Sequence, residues 1–320
     1  VLIIAAGSPS TILAVACYCH ANQITADSIK SGRDKIIFTQ AFQVGPGSVA
    51  LTAVEGLSED EQVVLIGLPV NNSGAGPELT KNLLLAVGSR LAGIYDEHEP
   101  ERWVKIQEDL SLWPQSLFHT PGKGEGHLSA ASIIGGAFDV PELWVQAGDW
   151  ADNRDLMVSE EAKKLASDID SAVKVRIADN LFRETVIRYL LGDQSSCDSF
   201  EQRLVESTVL ERNTRAALAA AELDGNVLVV RQAEGIEINQ TAAMFSGYQI
   251  APFVAIVGEK SGMGAVVTVG CNTRHPLLGQ TDLLKLFQAS GLAASGIACK
   301  ATIGGVANLE AILVLLNTLE

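Results

Sequence analysis

The chain has 320 residues, 47% of them hydrophobic, with 23 Lys and Arg set against 38 Asp and Glu for a formal net charge of −15. That length suggests about two domains with ample apolar material for their cores. The acidic balance argues against a broad nucleic-acid surface, which is built from basic groups neutralising phosphates, and leaves room only for a local basic groove.

Val1 to Ala5 reads as a buried strand, after which Gly7, Ser8, Pro9 and Ser10 interrupt the apolar stretch. With no basic segment ahead of it, this start reads as strand, turn and helix rather than a secretory leader. A helix of small residues follows from about Thr11 to Ala21. Lys35 to Thr39, Gln62 to Ile66 and Leu91 to Tyr95 read as strands, and Ser48 to Glu55 and Glu78 to Val87 as the helices between them. Strands apolar throughout and separated by helices predict a doubly wound, mostly parallel α/β sheet over residues 1–158. The stretch Ser116 to Gly126, with Pro121 and three glycines, is the most loop-like of the chain. Residues 159–224 carry helical spacing almost without a break and read as a helical connector. Asp224-Gly225 is a strong turn pair, and past it strands (Asn226 to Arg231, Phe253 to Val257, Ala265 to Val269) and two helices predict a smaller α/β domain over 225–320. No apolar run reaches the ~18–20 residues of a membrane span. The five cysteines (17, 19, 197, 271 and 299) show no zinc spacing, so reduced thiols in a cytoplasmic protein are the expectation.

Asp96, Glu97 and His98 follow directly on the strand Leu91 to Tyr95. Three metal-capable side chains at the carboxyl end of a strand stand where open α/β sheets place their ligands. Taken alone, such a triplet is also ordinary loop charge.

The triplet resembles the Asp-His-His signature of the DHH phosphoesterases, with Glu97 in place of the first His. The similarity extends over nearly the whole chain. After the first strand the family carries His-x-x-Asp-x-Asp-Gly; here Ala5 stands for the His, Ser8 and Ser10 for the two Asp, and Thr11 for the Gly. Hydroxyls are poor ligands for Mn²⁺ or Mg²⁺, and Ser10 or Thr11 serves equally well as a helix N-cap. Where the family places a metal-bridging Asp after the strand ending at Ile66, this chain has Gly67, followed by a loop of polar turn formers whose Asn71 or Asn72 can meet a substrate phosphate. Val145 to Arg154 is similar to the Gly-Thr-Ile-Ala-Asp run of the single-strand exonuclease branch, with Asp152 at the ligand position. In the smaller DHHA1 domain, Ser295 to Gly305 stands for the substrate-gripping glycine loop, with Ala298 in place of its His; Lys300, Arg274 and His275 are the remaining candidates for an anion.

The resemblance therefore implies the DHH/DHHA1 scaffold with a depleted metal set: Asp96, His98 and Asp152 as a relic or single-ion site for Mn²⁺ or Mg²⁺. Two-metal hydrolysis needs a clamp of carboxylates around both ions. The leading expectation is a catalytically degenerate homologue that binds or scaffolds an unidentified protein partner or phosphorylated small molecule. A divergent metal-dependent phosphoesterase acting on a nucleotide, oligonucleotide or other phosphorylated substrate is the alternative, and a small-anion or nucleotide sensor is a third. The composition is compatible with a homodimer.

Overall fold

The computed structural model describes residues 1–70, 76–122, 129–260 and 264–319. The chain divides into two compact units, Val1–Leu204 and Val205–Glu320.

In the first unit, β1 (Leu2–Ala6), α1 (Pro9–Ala21), α2 (Ala26–Lys30), β2 (Lys35–Thr39), α3 (Val49–Glu55), β3 (Val63–Ile66), α4 (Gly76–Val87), β4 (Leu91–Tyr95), α5 (Pro100–Leu110) and β5 (Phe118–His119) alternate along the chain. They form a five-stranded sheet in the order β2-β1-β3-β4-β5, parallel at every pairing. Alternate residues divide the strands between two cores. Ile3, Ala5, Val64 and Ile66 pack on one face and Leu2, Ile4, Val63 and Leu65 on the other. Burial on both faces is what makes each strand apolar at every position. α6 (Ala130–Ala137), α7 (Glu142–Asp152), α8 (Glu160–Lys174) and α9 (Asn180–Leu190) complete the unit, and Ile134, Ala147, Ala166 and Val186 from these helices pack in the first of those cores. α1 is enclosed almost all round, with Ser10 through Cys19 buried, which requires the small side chains of its sequence.

α10 (Gln194–Ala219) runs from the first unit into the second. The second unit contains β6 (Glu222–Asp224), β7 (Val227–Arg231), α11 (Gln240–Gly247), β8 (Phe253–Lys260), β9 (Gly264–Cys271), α12 (Leu283–Ala289), β10 (Ala294–Ile297), β11 (Lys300–Gly304) and α13 (Leu309–Asn317). Its six strands lie in the order β10-β11-β9-β8-β7-β6, antiparallel except for β7 with β8. The turn between β6 and β7 falls one residue later than the Asp224-Gly225 pair suggests: Asp224 ends β6 and pairs with Val227, and Gly225-Asn226 makes the turn, with Gly225 at φ +54°. Among the described residues, no helix is long and apolar enough to cross a membrane.

Candidate functional site

The strand order of the first unit reverses between β1 and β3, and open α/β sheets place their ligands in the space beyond the carboxyl ends at such a switch point. The loop after β1 lines it with hydroxyls. Ser8 is the N-cap of α1, accepting from the Thr11 N–H at 3.2 Å, with Pro9 in the first turn. The cap expected at Ser10 or Thr11 therefore lies at Ser8, whose extended backbone (φ −74°, ψ 156°) suits that position. Ser8 Oγ also lies 3.0 Å from Ser10 Oγ and 2.8 Å from Thr11 Oγ1, and Ser10 donates to Asp152 Oδ1 at 3.3 Å. Gly67, at the end of β3, adopts φ +55° and faces the Thr11 side chain.

Asp96 and Glu97 are not loop charge. They are 0% and 3% exposed. The Asp96 N–H donates to His119 O at 3.2 Å, which continues the β4–β5 pairing into the site. Both oxygens of its carboxylate are engaged: Oδ1 lies 2.7 Å from His98 Nδ1, and Oδ2 accepts from Trp103 Nε1 at 2.7 Å. His98 Nδ1 also stands 3.6 Å from Glu97 Oε1. Glu97 Oε2 is buried with no hydrogen-bond partner among the described residues. Burial pushes the Glu97 carboxyl up to about 7, with Asp96 and Asp152 adding to the rise and His98 opposing it.

Asp152, the last residue of α7, is half-buried and meets the α1 loop through Ser10. One turn earlier, Asp149 accepts from Ser129 Oγ at 2.7 Å and is raised chiefly by burial. Trp103, Asp149 and His119 escaped the sequence reading. Asp149 was findable, because three residues before Asp152 on a helix places it on the same face. The Trp103 and His119 contacts depend on chain folding and leave no local signal.

Asn71 and Asn72 lie outside the described residues. In the second unit, Arg274 is exposed, and its N–H donates to Asn272 Oδ1 at 3.1 Å. His275 Nδ1 accepts from the Leu278 N–H at 3.1 Å, so that nitrogen closes a turn. Lys300 pairs with Gly270 on β9, which places all three residues around one end of that sheet.

No family model matches the chain, and no curated protein matches it by sequence. Solved structures do match over its full length. A pGpG-specific phosphodiesterase, PggH from Vibrio cholerae, superimposes with a TM-score of 0.54 at 11% identity, covering 100% of this chain and 99% of that one. The exonuclease RecJ bound to manganese gives 0.52 at 12% identity, covering 99% and 89%. RecJ from Thermus thermophilus in complex with Mn²⁺ gives 0.50 at 12% identity, and there this chain spans 51% of its counterpart. The fold is that of the DHH-type phosphoesterases.

On that fold the donor set can be tested against divalent ions. Asp96, Glu97 and His98 offer ligand atoms that all lie within 4.8 Å of one another, a span suited to a single ion. Among the described residues this is the one group of three such ligands. The carboxyl ends of β1 and β3 supply Ser8, Ser10 and Gly67, none of which carries the carboxylate that a paired site needs.

Proposed function

We propose that this chain is a catalytically degenerate DHH-type phosphoesterase homologue that acts by binding or scaffolding and has lost two-metal hydrolysis. The observation that carries this reading is the pairing of Gly67 with Thr11. At the position of a bridging carboxylate the backbone turns through φ +55°, and the threonine side chain stands in the space an aspartate there would need. Ser8 and Ser10 are likewise committed to capping α1 and to hydrogen-bonding Asp152. The hydroxyls thus have structural work that an ion would disrupt. The test is turnover of pGpG and of a single-stranded oligonucleotide with Mn²⁺ or Mg²⁺, alongside calorimetric titration of Mn²⁺. The reading expects no hydrolysis and at most one ion per chain. Turnover by the unmodified chain that Asp152→Ala abolishes would overturn it.

One observation favours a second reading, a divergent single-metal phosphoesterase built on Asp96, His98 and Asp152 with Glu97 as a substitute ligand. Glu97 Oε2 is a buried carboxylate oxygen without a partner among the described residues, beside two further ligand-capable groups. Buried charges ordinarily are paired or coordinate metals. In this reading Mn²⁺ binds stoichiometrically and hydrolysis follows its occupancy. Stoichiometric binding of pGpG without turnover fits the leading reading and narrows it to a nucleotide sensor.

A further inference from the structure

The sheet of the first unit has an edge at β2, which pairs with β1 on one side and with no strand on the other among the described residues. The Lys35 N–H donates to Val1 O at 2.9 Å, so Lys35, Ile37 and Thr39 turn their main-chain groups toward β1. By the alternation of a strand, Ile36 and Phe38 turn theirs outward. One of these outward groups is already met as a neighbouring strand would meet it: Asn180 Nδ2 donates to Phe38 O at 3.0 Å.

The other outward groups, the N–H and C=O of Ile36 and the N–H of Phe38, face a groove of about 590 Å³. The segment 42–49 forms one wall and α9 the other. Its rim is apolar and open to solvent, with Phe42 58%, Val49 74% and Leu181 77% exposed. Edge strands are usually blunted by inward charge, proline or a bulge. β2 instead runs Lys-Ile-Ile-Phe-Thr with an unbroken register and its single charge at one end. Among the described residues lining the groove, Glu184 alone is charged, and Arg188 stands 3.8 Å from it.

We propose that this groove takes an extended peptide segment of a protein partner, added as a strand beside β2. The N–H and C=O of Ile36 and the N–H of Phe38 supply the hydrogen bonds of strand addition, and the apolar walls select a segment with apolar residues at alternate positions. Glu184 selects Lys or Arg near one end. A second copy of this chain suits the groove less well, because it would bring its own segment 42–49 and α9 to the place the added strand must occupy. The inference stands apart from the metal-ligand cleft and holds whether or not that cleft hydrolyses anything.

The probe is a random twelve-residue peptide library displayed on phage, selected on the intact protein and counter-selected on the Val49→Lys, Leu181→Lys double variant. Both positions are exposed, so the variant keeps the fold; its thermal unfolding is measured as the control. The expected result is enrichment of peptides with alternating apolar residues and a basic residue. These should bind the double variant at least tenfold more weakly and slow amide hydrogen exchange at Ile36 and Phe38. Methylating alternate backbone nitrogens of a selected peptide, which leaves the protein untouched, should also weaken binding at least tenfold. No enrichment over the variant, unprotected edge amides, indifference to N-methylation, or a dimer that protects Ile36 and Phe38 without peptide would each overturn the proposal.

Discussion

A Cβ placed on Gly67 would lie 2.5 Å from Thr11 Oγ1 and 3.0 Å from Thr11 Cγ2. The two residues are therefore one unit. The first prediction follows from that contact. Gly67→Asp alone should destabilise the protein by about 2–4 kcal/mol, from overpacking together with the left-handed backbone at φ +55°. Combining it with Thr11→Gly should recover at least ~1 kcal/mol relative to the sum of the single changes, since contacting sites are non-additive. Urea unfolding of the four proteins measures this. Simple additivity would show that Thr11 does not hold the space at position 67.

The buried triplet yields a second prediction. Asp96 accepts from Trp103 and contacts His98 with no exposed surface, whereas Asp152 is half-buried at a helix end. Asp96→Ala leaves the buried Trp103 Nε1–H without its acceptor and should cost about 2–4 kcal/mol, against less than ~1 kcal/mol for Asp152→Ala. Asp96 is then a structural residue as well as a candidate ligand. Equal, small effects in denaturant would return it to the role of a metal ligand alone.

The five-stranded sheet was legible because burial on both faces makes its strands continuous apolar runs; the reading of Lys35–Thr39 and Leu91–Tyr95 matched to the residue. β5, with two residues, carries no period to detect, and it forms only because it pairs with the end of β4. At the site, the positions of Ser8, Gly67, Asp96 and Asp152 were legible as the ends of strands and motifs. Their roles were not. That Ser8 rather than Ser10 caps α1 depends on backbone angles, and the closeness of Thr11 to Gly67 depends on packing between residues 56 positions apart. A hydrophilic triplet gives no sign that two of its members are buried, and Trp103, seven residues on, is what makes that burial tolerable for Asp96.

Thiol chemistry provides a third prediction. Cys17 and Cys19 lie wholly inside α1, and burial holds both thiols well above the ordinary range, Cys17 at about 12. Burial also pushes Cys271 up to about 11. Cys197 and Cys299 are partly exposed. The thiolate is the reactive form; desolvation and the hydrogen bond to Glu201 also raise the Cys197 thiol, so iodoacetamide at pH 8 should label Cys299 first, Cys197 more slowly, and the other three only after unfolding. Peptide mass spectrometry reads the order. Early labelling of Cys17 would mean that α1 opens readily and is not the rigid centre of the first unit.

The fourth prediction concerns pH and Glu97. Its carboxyl sits at about 7 in the folded chain against an ordinary 4.5, raised first by burial and then by Asp96 and Asp152. Below the ordinary value the group is protonated in both folded and unfolded chains, and it carries no penalty. As pH rises from there, the unfolded chain releases the proton while the folded one keeps it, so folding loses about 1.4 kcal/mol per pH unit from this group. The loss levels off once pH passes about 7, at a total of roughly 3 kcal/mol. Glu97→Gln removes the titration, so its stability relative to the unmodified protein should increase between pH 5 and pH 8 by an amount of that order. Mn²⁺ gives the same experiment a second edge. An ion held by Asp96, Glu97 and His98 would favour the charged carboxylate and reverse the effect, making Glu97→Gln the less stable protein at pH 8 when Mn²⁺ is present. Chemical denaturation at the two pH values, with and without Mn²⁺, separates the outcomes. An unmodified protein that gains on the variant between pH 5 and pH 8 without metal would show that Glu97 is solvated or paired, and would remove the buried carboxylate on which the single-metal reading rests.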